Sequence, residues 1–414
     1  MNSSTVAPAG AGHTGERALI FALMALACGH MLSTLLRTIP ALSLDLMAAD
    51  FATTPQTLAS LTSIYHFAFA AAQIPAGAAM DRFGIRPVAL CLLAGTVVGA
   101  AASALASGPA SFLVGQFLIG VATSGMLMCP MTLAAKQMSA ARFGLWSGVI
   151  LSVGNIGMLL SSSPLAWVIE QYGWRAGFWV SAVFGVLVAV AVFALVPKSD
   201  PAHTDDSSPL SQMAEVMRLG LSRPLRGLIA LALVSLAAAL VLRGLWAGPW
   251  LMDIKGLSRI EAGHDLGLFT LAFIVGPALV GILDRKFGHR RTMLAASHLA
   301  AAALLVLIAG GAPHYFVSVM FGVAVMPAHY DVVLLILFGL AISAQPLLFG
   351  MTRQLTDPQN TGKALSAVNL AFFLGAALMQ SATGMVAAAL GLPAVMIFVG
   401  LALVVGVMVF LAYT

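Results

Sequence analysis

Two arginines stand where a charge is expensive: Arg37 in the apolar run CGHMLSTLLRTIPALSLDLM and Arg243 in SLAAALVLRGLWAGPWLMD. A charged side chain at bilayer depth costs roughly 2.5 to 3.5 kcal/mol, so its retention implies a partner or a task. A guanidinium presents a planar fork of N–H donors that matches carboxylate or phosphate, and it stays charged at physiological pH. Capture of an anion is the chemistry these residues suit. The acids in the same runs, Asp45 or Asp50 for Arg37 and Asp253 for Arg243, are eight or more residues away, over about 10 Å along a straight helix. Pairing within one helix is therefore poor, and a ligand is the expected partner of both Arg37 and Arg243.

Other polar side chains in apolar sequence could complete the site. Tyr65, His66 and Gln73 share one segment; neighbours on a helix point in different directions, so only one of Tyr65 and His66 is expected to face a ligand. His66 is the candidate proton carrier. Asn155, Gln345, Asn369 and Gln380 could each hydrogen-bond a ligand or tie helices together. Trp246 and Trp250 follow Arg243 by three and seven residues and share nearly the same face. Trp246 is expected to wall an apolar part of the ligand, and Trp250 to do the same or to anchor at the membrane interface. Asp45, Asp50 and Asp253 lie near the outer ends of their spans, which favours anion exchange, facilitated diffusion or coupling through His66 over a carboxylate-driven proton symport. No nucleotide loop, catalytic triad or metal-ligand spacing is present in the sequence; neither an enzyme, a cofactor nor a metal is expected.

The elements that must hold these residues follow from composition. Of 414 residues only 35 are charged, about 8%, and 60% are apolar, whereas a soluble domain carries about a quarter charged residues. The chain belongs in lipid. Its 40 Gly and 19 Pro suit membrane helices, and Cys28, Cys91 and Cys129 fall inside apolar runs, so no disulfide framework is implied. A net charge of +5 is too small and scattered to suggest nucleic acid. The expected partners are the bilayer, a small anionic substrate, and a proton or counter-anion; a monomer is expected.

With about 20 residues needed per crossing, charge, Pro and Gly divide the chain into twelve spans: 18–47, 57–80, 87–107, 111–134, 144–168, 177–196, 225–252, 262–283, 292–311, 330–352, 361–389 and 393–412. The segment 313–329 is apolar enough to extend a helix or to lie at the interface, and is left unassigned. If the N-terminus is cytoplasmic, 15 of the 20 basic residues fall in inward loops, as the positive-inside rule requires. The organisation expected is an N-terminal tail at 1–17, a six-helix bundle at 18–196, a polar cytoplasmic linker at 197–224 and a second six-helix bundle at 225–414, in a cytoplasmic (inner) membrane of bacterial type with both termini inside. No positive region precedes the first apolar run, so a cleaved signal peptide is not expected.

GAAMDRFGIR, from Gly77 to Arg86, returns as GILDRKFGHRR, from Gly281 to Arg291, with Asp81 and Asp284 separated by 203 residues, half the chain. Each copy follows an even-numbered span. Duplication of this kind is what two-fold transporter folds show. The paired loops, the six-plus-six layout and the length resemble the major facilitator superfamily over the entire chain. That resemblance implies an all-α fold of two pseudo-symmetric bundles rocking about a central cavity, with Asp81, Arg82, Arg86, Asp284, Arg285 and Arg290 as conformational latches. Proton-driven drug exporters of the superfamily carry an Arg four before a Gly in the fourth helix; here Gln116 precedes Gly120, and the glycine pattern of their fifth helix is reduced to Gly154 and Gly157 before SSSPLAW. The paired arginines are similar to the organophosphate:phosphate antiporter group, although Thr38 and Gly244 follow them and the fifth helix offers Asn155 in place of a His. The expected function is secondary active or facilitative transport of a small organic anion, whether a carboxylate, a phosphorylated metabolite or an acidic peptide. The alternatives are a proton-coupled drug or metabolite exporter and a non-transporting sensor or scaffold of the same fold.

Overall fold

The computed structural model describes residues 11–198, 209–357 and 360–414, and among them only helices and turns. Eleven stretches are long and apolar enough to cross a bilayer: Glu16–Leu42 (α1), Ile85–Ala104 (α3), Pro109–Gln137 (α4), Leu145–Tyr172 (α5), Trp174–Leu195 (α6), Arg226–Ile254 (α7), Arg259–Phe287 (α8), Arg290–Gly310 (α9), Ala328–Leu355 (α10), Thr361–Leu390 (α11) and Leu392–Tyr413 (α12). Ile64–Phe83 (α2) has 20 residues, about 30 Å of helix, enough to span. Its apolar character is diluted by Tyr65, His66 and Gln73, all of them buried. Twelve crossings put both termini at one face, here the terminal face.

Packing repeats between the halves. In the first, α1 packs on α5 and α6, α2 on α4, and α3 on α4 and α6; in the second, α7 packs on α11 and α12, α8 on α10, and α9 on α10 and α12. Two pairs of turns mark the same duplication. Gly84 and Gly288 leave α2 and α8 with φ of 86° and 66°, and Gly173 and Gly391 leave α5 and α11 with φ of 78° and 80°. Only glycine adopts such a backbone without strain. The second pair carries no charged motif and was not visible as a repeat in the sequence.

Several expectations of detail shift. The first span ends at Leu42, and a separate short helix, Leu44–Asp50, follows it. Span five is interrupted at Ser161 and Ser162, ahead of Pro164. The segment at 313–329 holds one short helix, Phe316–Met320, with turns around it. Part of the linker is helical: Pro209–Gly220 packs on α11 and α2, and Glu215 pairs with Lys363 at 2.6 Å. The polar residues 199–208 lie outside those described.

Candidate functional site

The helix α1 carries His30, Ser33, Thr34 and Arg37, spaced i, i+3, i+4 and i+7, so all four share one face. On α2, His66, Phe69 and Gln73 follow the same period, and on α11 Asn369, Phe373 and Gln380 do so. These stripes converge. The Arg37 guanidinium carbon lies 5.3 Å from the Phe69 ring centre and 5.2 Å from that of Phe373, and the two rings are 4.2 Å apart. Arg37 has one long hydrogen bond, to Ser33 Oγ at 3.5 Å, and its buried Nε has no partner. Among the described residues no carboxylate lies within ion-pair distance of Arg37.

His66 is buried, and neither of its ring nitrogens makes a hydrogen bond of good geometry, although Gln380 of α11 lies close to it. It lies close enough to Arg37 to interact electrostatically, as His30 does. Tyr65 turns away to Thr123 of α4, with 3.0 Å between their hydroxyls, so the neighbouring side chains do point apart. The Gln345 Nε2 atom is likewise buried without a partner. Asn155 and Asn369 are partly buried. Buried polar atoms are nearly always hydrogen-bonded, so unpaired ones gathered on Arg37 and His66 require a partner from ligand or water. His30 had escaped sequence reading although it sits seven residues before Arg37; its ring packs against Gly154 of α5, where a Cβ would come within 2.0 Å of it.

Arg243 has a different situation. Its side chain is 1% exposed, Nε donates to Thr270 of α8 at 2.6 Å, and Nη2 reaches across to α5, to the Met158 carbonyl at 2.6 Å, Ser162 at 2.8 Å and Ser161 at 3.2 Å. Only Nη1 lacks a partner. The two arginines are therefore not symmetric partners, and the packing gives the reason. Gly157 of α5 meets the Met31 carbonyl of α1 as Gly375 of α11 meets the Leu233 carbonyl of α7: a Cβ would lie 2.0 Å and 1.8 Å from those oxygens. This register aligns Arg37 with Ala239, and Arg243 stands four residues farther along α7; where α1 and α7 meet, a Cβ on Gly244 would lie 3.5 Å from the Arg37 carbonyl, so the two arginines leave the seam at neighbouring levels and differ in their partners. The same pairing aligns Asn155 with Phe373.

Around Arg243, α7 is wound as a π-helix at Leu242–Trp246 and again at Trp250–Ile254, a distortion that often marks functional sites. Trp246 is buried and donates to Thr383 of α11 at 2.9 Å. Trp250 is no interfacial anchor: it is fully buried and donates to Asp331 at 2.9 Å. Asp331 in turn meets Lys255 at 2.9 Å, both side chains almost wholly enclosed. The partnership spans 76 residues of sequence, so no local spacing marks it.

Two of the acids in those runs, Asp45 and Asp50, are engaged elsewhere. Asp45 receives two hydrogen bonds from Arg259 of α8, and Asp50 pairs with Arg175 and Trp174. Every hydrogen bond between the bundles among the described residues lies toward the face opposite the termini: Arg259 to Asp45 and the Leu42 carbonyl, Arg243 to α5, Ser60 to the Ser381 carbonyl, and Gln380 to Thr62. The molecule is sealed there. Gln116 bonds Ser103 at 3.3 Å and joins α4 to α3.

The paired loops at the terminal face differ in their contacts. In the second copy Arg290 grips Asp284 with Nε and Nη2 at 2.8 to 3.0 Å. In the first, Asp81 makes no ion pair among the described residues, Arg82 lies over the Phe83 ring, and Arg86 donates to the Phe193 carbonyl at 2.6 Å. Arg291, not Arg290, makes the matching contact, to the Leu411 carbonyl at 2.7 Å. Arg285 is exposed.

Comparison with known proteins bears on the whole chain. It is 25% identical over 357 residues to the tetracenomycin C resistance and export protein of Streptomyces glaucescens, covering 72% of this chain and 65% of that protein. It is 26% identical over 309 residues to multidrug resistance protein MdtL of Escherichia coli O81, covering 72% and 73%. It is 24% identical over 238 residues to the putative niacin/nicotinamide transporter NiaP of Bacillus subtilis, covering 57% and 59%. The chain thus spans about six-tenths to three-quarters of the length of these relatives. Among solved structures, a POT family transporter in complex with 5-aminolevulinic acid superposes with a TM-score of 0.79 at 13% identity over 96% of each chain. The nucleoside transporter NupG gives 0.75 at 13% identity, over 96% of this chain and 99% of its own. These likenesses establish the fold. With twelve helices in two matched bundles and residues 26–330 fitting the family profile, the chain belongs to the Major Facilitator Superfamily of membrane transporters.

Proposed function

We propose that this transporter moves a small organic anion by alternating exposure of a site between the bundles, with Arg37 holding the negative group. One observation carries the reading: Arg37 is a cation within a membrane span with neither a carboxylate nor a full set of hydrogen bonds, beside a buried imidazole whose ring nitrogens make no hydrogen bond of good geometry. An anion seated there would satisfy both groups. Arg243 acts mainly as a tie between α7, α8 and α5, with Nη1 left to reach a ligand. His66 is the proposed proton carrier, its charged neighbour being Arg37. The basic loops support a cytoplasmic terminal face; with that orientation the described conformation is closed to the outside.

A second reading, export of drug-like molecules, draws on the names of the tetracenomycin C and MdtL relatives and on the aromatic rings at the site. A thermal-shift screen of purified protein against carboxylates, phosphate esters, amino acids and cationic drugs separates the two. Anions should stabilise the wild type and lose at least ten-fold in affinity in Arg37→Gln, while Arg243→Gln should lower the melting temperature even without ligand. Stabilisation by cationic drugs alone, or full anion binding in Arg37→Gln, would overturn the anion reading.

A further inference from the structure

We infer that the anion is a monoanion with an apolar body, such as an aromatic or medium-chain monocarboxylate, and that dianions and phosphate esters are excluded. The inference rests on the anion reading of Arg37 and narrows it. Because the Phe69 and Phe373 ring centres are 4.2 Å from one another and each about equally far from the guanidinium carbon, at 5.3 and 5.2 Å, both rings stand on one side of Arg37. They hold the guanidinium by cation–π attraction and leave N–H donors for one carboxylate. The atoms next to that carboxylate then meet phenyl surface, which rewards carbon and penalises hydroxyl or a second charge.

The count of cations gives the same answer. A second carboxylate, or the second charge of a phosphate ester, needs a second donor of positive charge. Arg243 has four hydrogen bonds already set, Nε to Thr270 and Nη2 to three oxygens of α5, with its whole side chain enclosed; Nη1 alone is left without a partner, so its fork cannot close on a second carboxylate. The imidazoles of His30 and His66 lie within electrostatic reach of Arg37. These supply hydrogen bonds to one carboxylate more readily than a fixed second charge.

The test uses purified full-length protein and measures binding by thermal shift together with counterflow in proteoliposomes. Its probes are benzoate, hexanoate, acetate, phthalate, adipate, phenyl phosphate and neutral benzamide. Benzoate and hexanoate should bind at least ten-fold more tightly than phthalate, adipate and phenyl phosphate, and benzamide should not bind. Phe373→Leu and Phe373→Ala should weaken benzoate more than acetate, narrowing the gap between them at least three-fold; two variants guard against one that fails to fold. Binding of phthalate or phenyl phosphate as tight as benzoate, and lost in Arg37→Gln, would sink the monoanion inference and leave the anion reading standing. Binding of none of the anions, or no response to Arg37→Gln, sinks both.

Discussion

Arg259 grips Asp45 with two nitrogens, at 3.1 and 2.7 Å, across the seam between the bundles. The same guanidinium donates to the Leu42 carbonyl and stands 3.4 Å from Glu170. One side chain of α8 therefore binds the end of α1 and the end of α5, and these contacts must break before the opposite face can open. Since Asp45 is partly exposed, the pair is worth about 1 kcal/mol. Replacing Arg259 by Gln should shift the equilibrium toward the open form roughly five-fold. Maleimide labelling of a cysteine placed at Ala166, in a background without Cys28, Cys91 and Cys129, reads that population. Unchanged labelling would show that the pair does not hold the seam.

Gly248 permits the closest approach at the same seam, since a Cβ there would lie 1.7 Å from the Ala41 carbonyl oxygen. Gly248→Val should keep the bundles apart at the opposite face. The cysteine at Ala166 should label at least ten-fold faster, and transport should be lost while each bundle remains folded. Normal transport in that variant would mean that α7 and α1 can separate without cost.

The enclosed Lys255–Asp331 pair predicts a strong asymmetry between single and double replacement. Asp331→Leu leaves Lys255 charged and buried and removes the acceptor of Trp250, so it should cost about 3 to 5 kcal/mol. The double variant Lys255→Met with Asp331→Leu should recover most of that loss. Thermal melting in detergent compares them, and equal losses in single and double variants would contradict the account.

Asp50 offers a pH signature outside the spans. The Trp174 indole, at 2.8 Å, and then the Arg175 guanidinium hold its carboxyl below the usual carboxylate range. A carboxyl depressed in the folded state contributes stability above its unfolded pKa, near about 4, and loses it as pH falls through the folded value. The stability advantage of wild type over Asp50→Asn should therefore be present at pH 6 and shrink below pH 4. Melting temperatures across that range supply the check, and a constant difference would exclude the linkage.

Composition, apolar runs and the DRFG and DRKFG loops determined that this chain crosses a membrane twelve times in two related halves, because span length and charge exclusion are local properties that a sequence displays directly. They also singled out Arg37 and Arg243 as cations within spans. What they left equal, the tertiary structure made different. The close approaches at Gly157 and Gly375 set the register of α1 and α7, and a slip of four residues within that register turns Arg243 into the contacts of α5 while Arg37 stays beside Phe69, Phe373 and two imidazoles. Spacing along one helix names the face a side chain occupies; which atoms stand opposite depends on helices hundreds of residues away, and so Phe373, His30 and the Lys255–Asp331 pair could be recognised only once the bundles were packed.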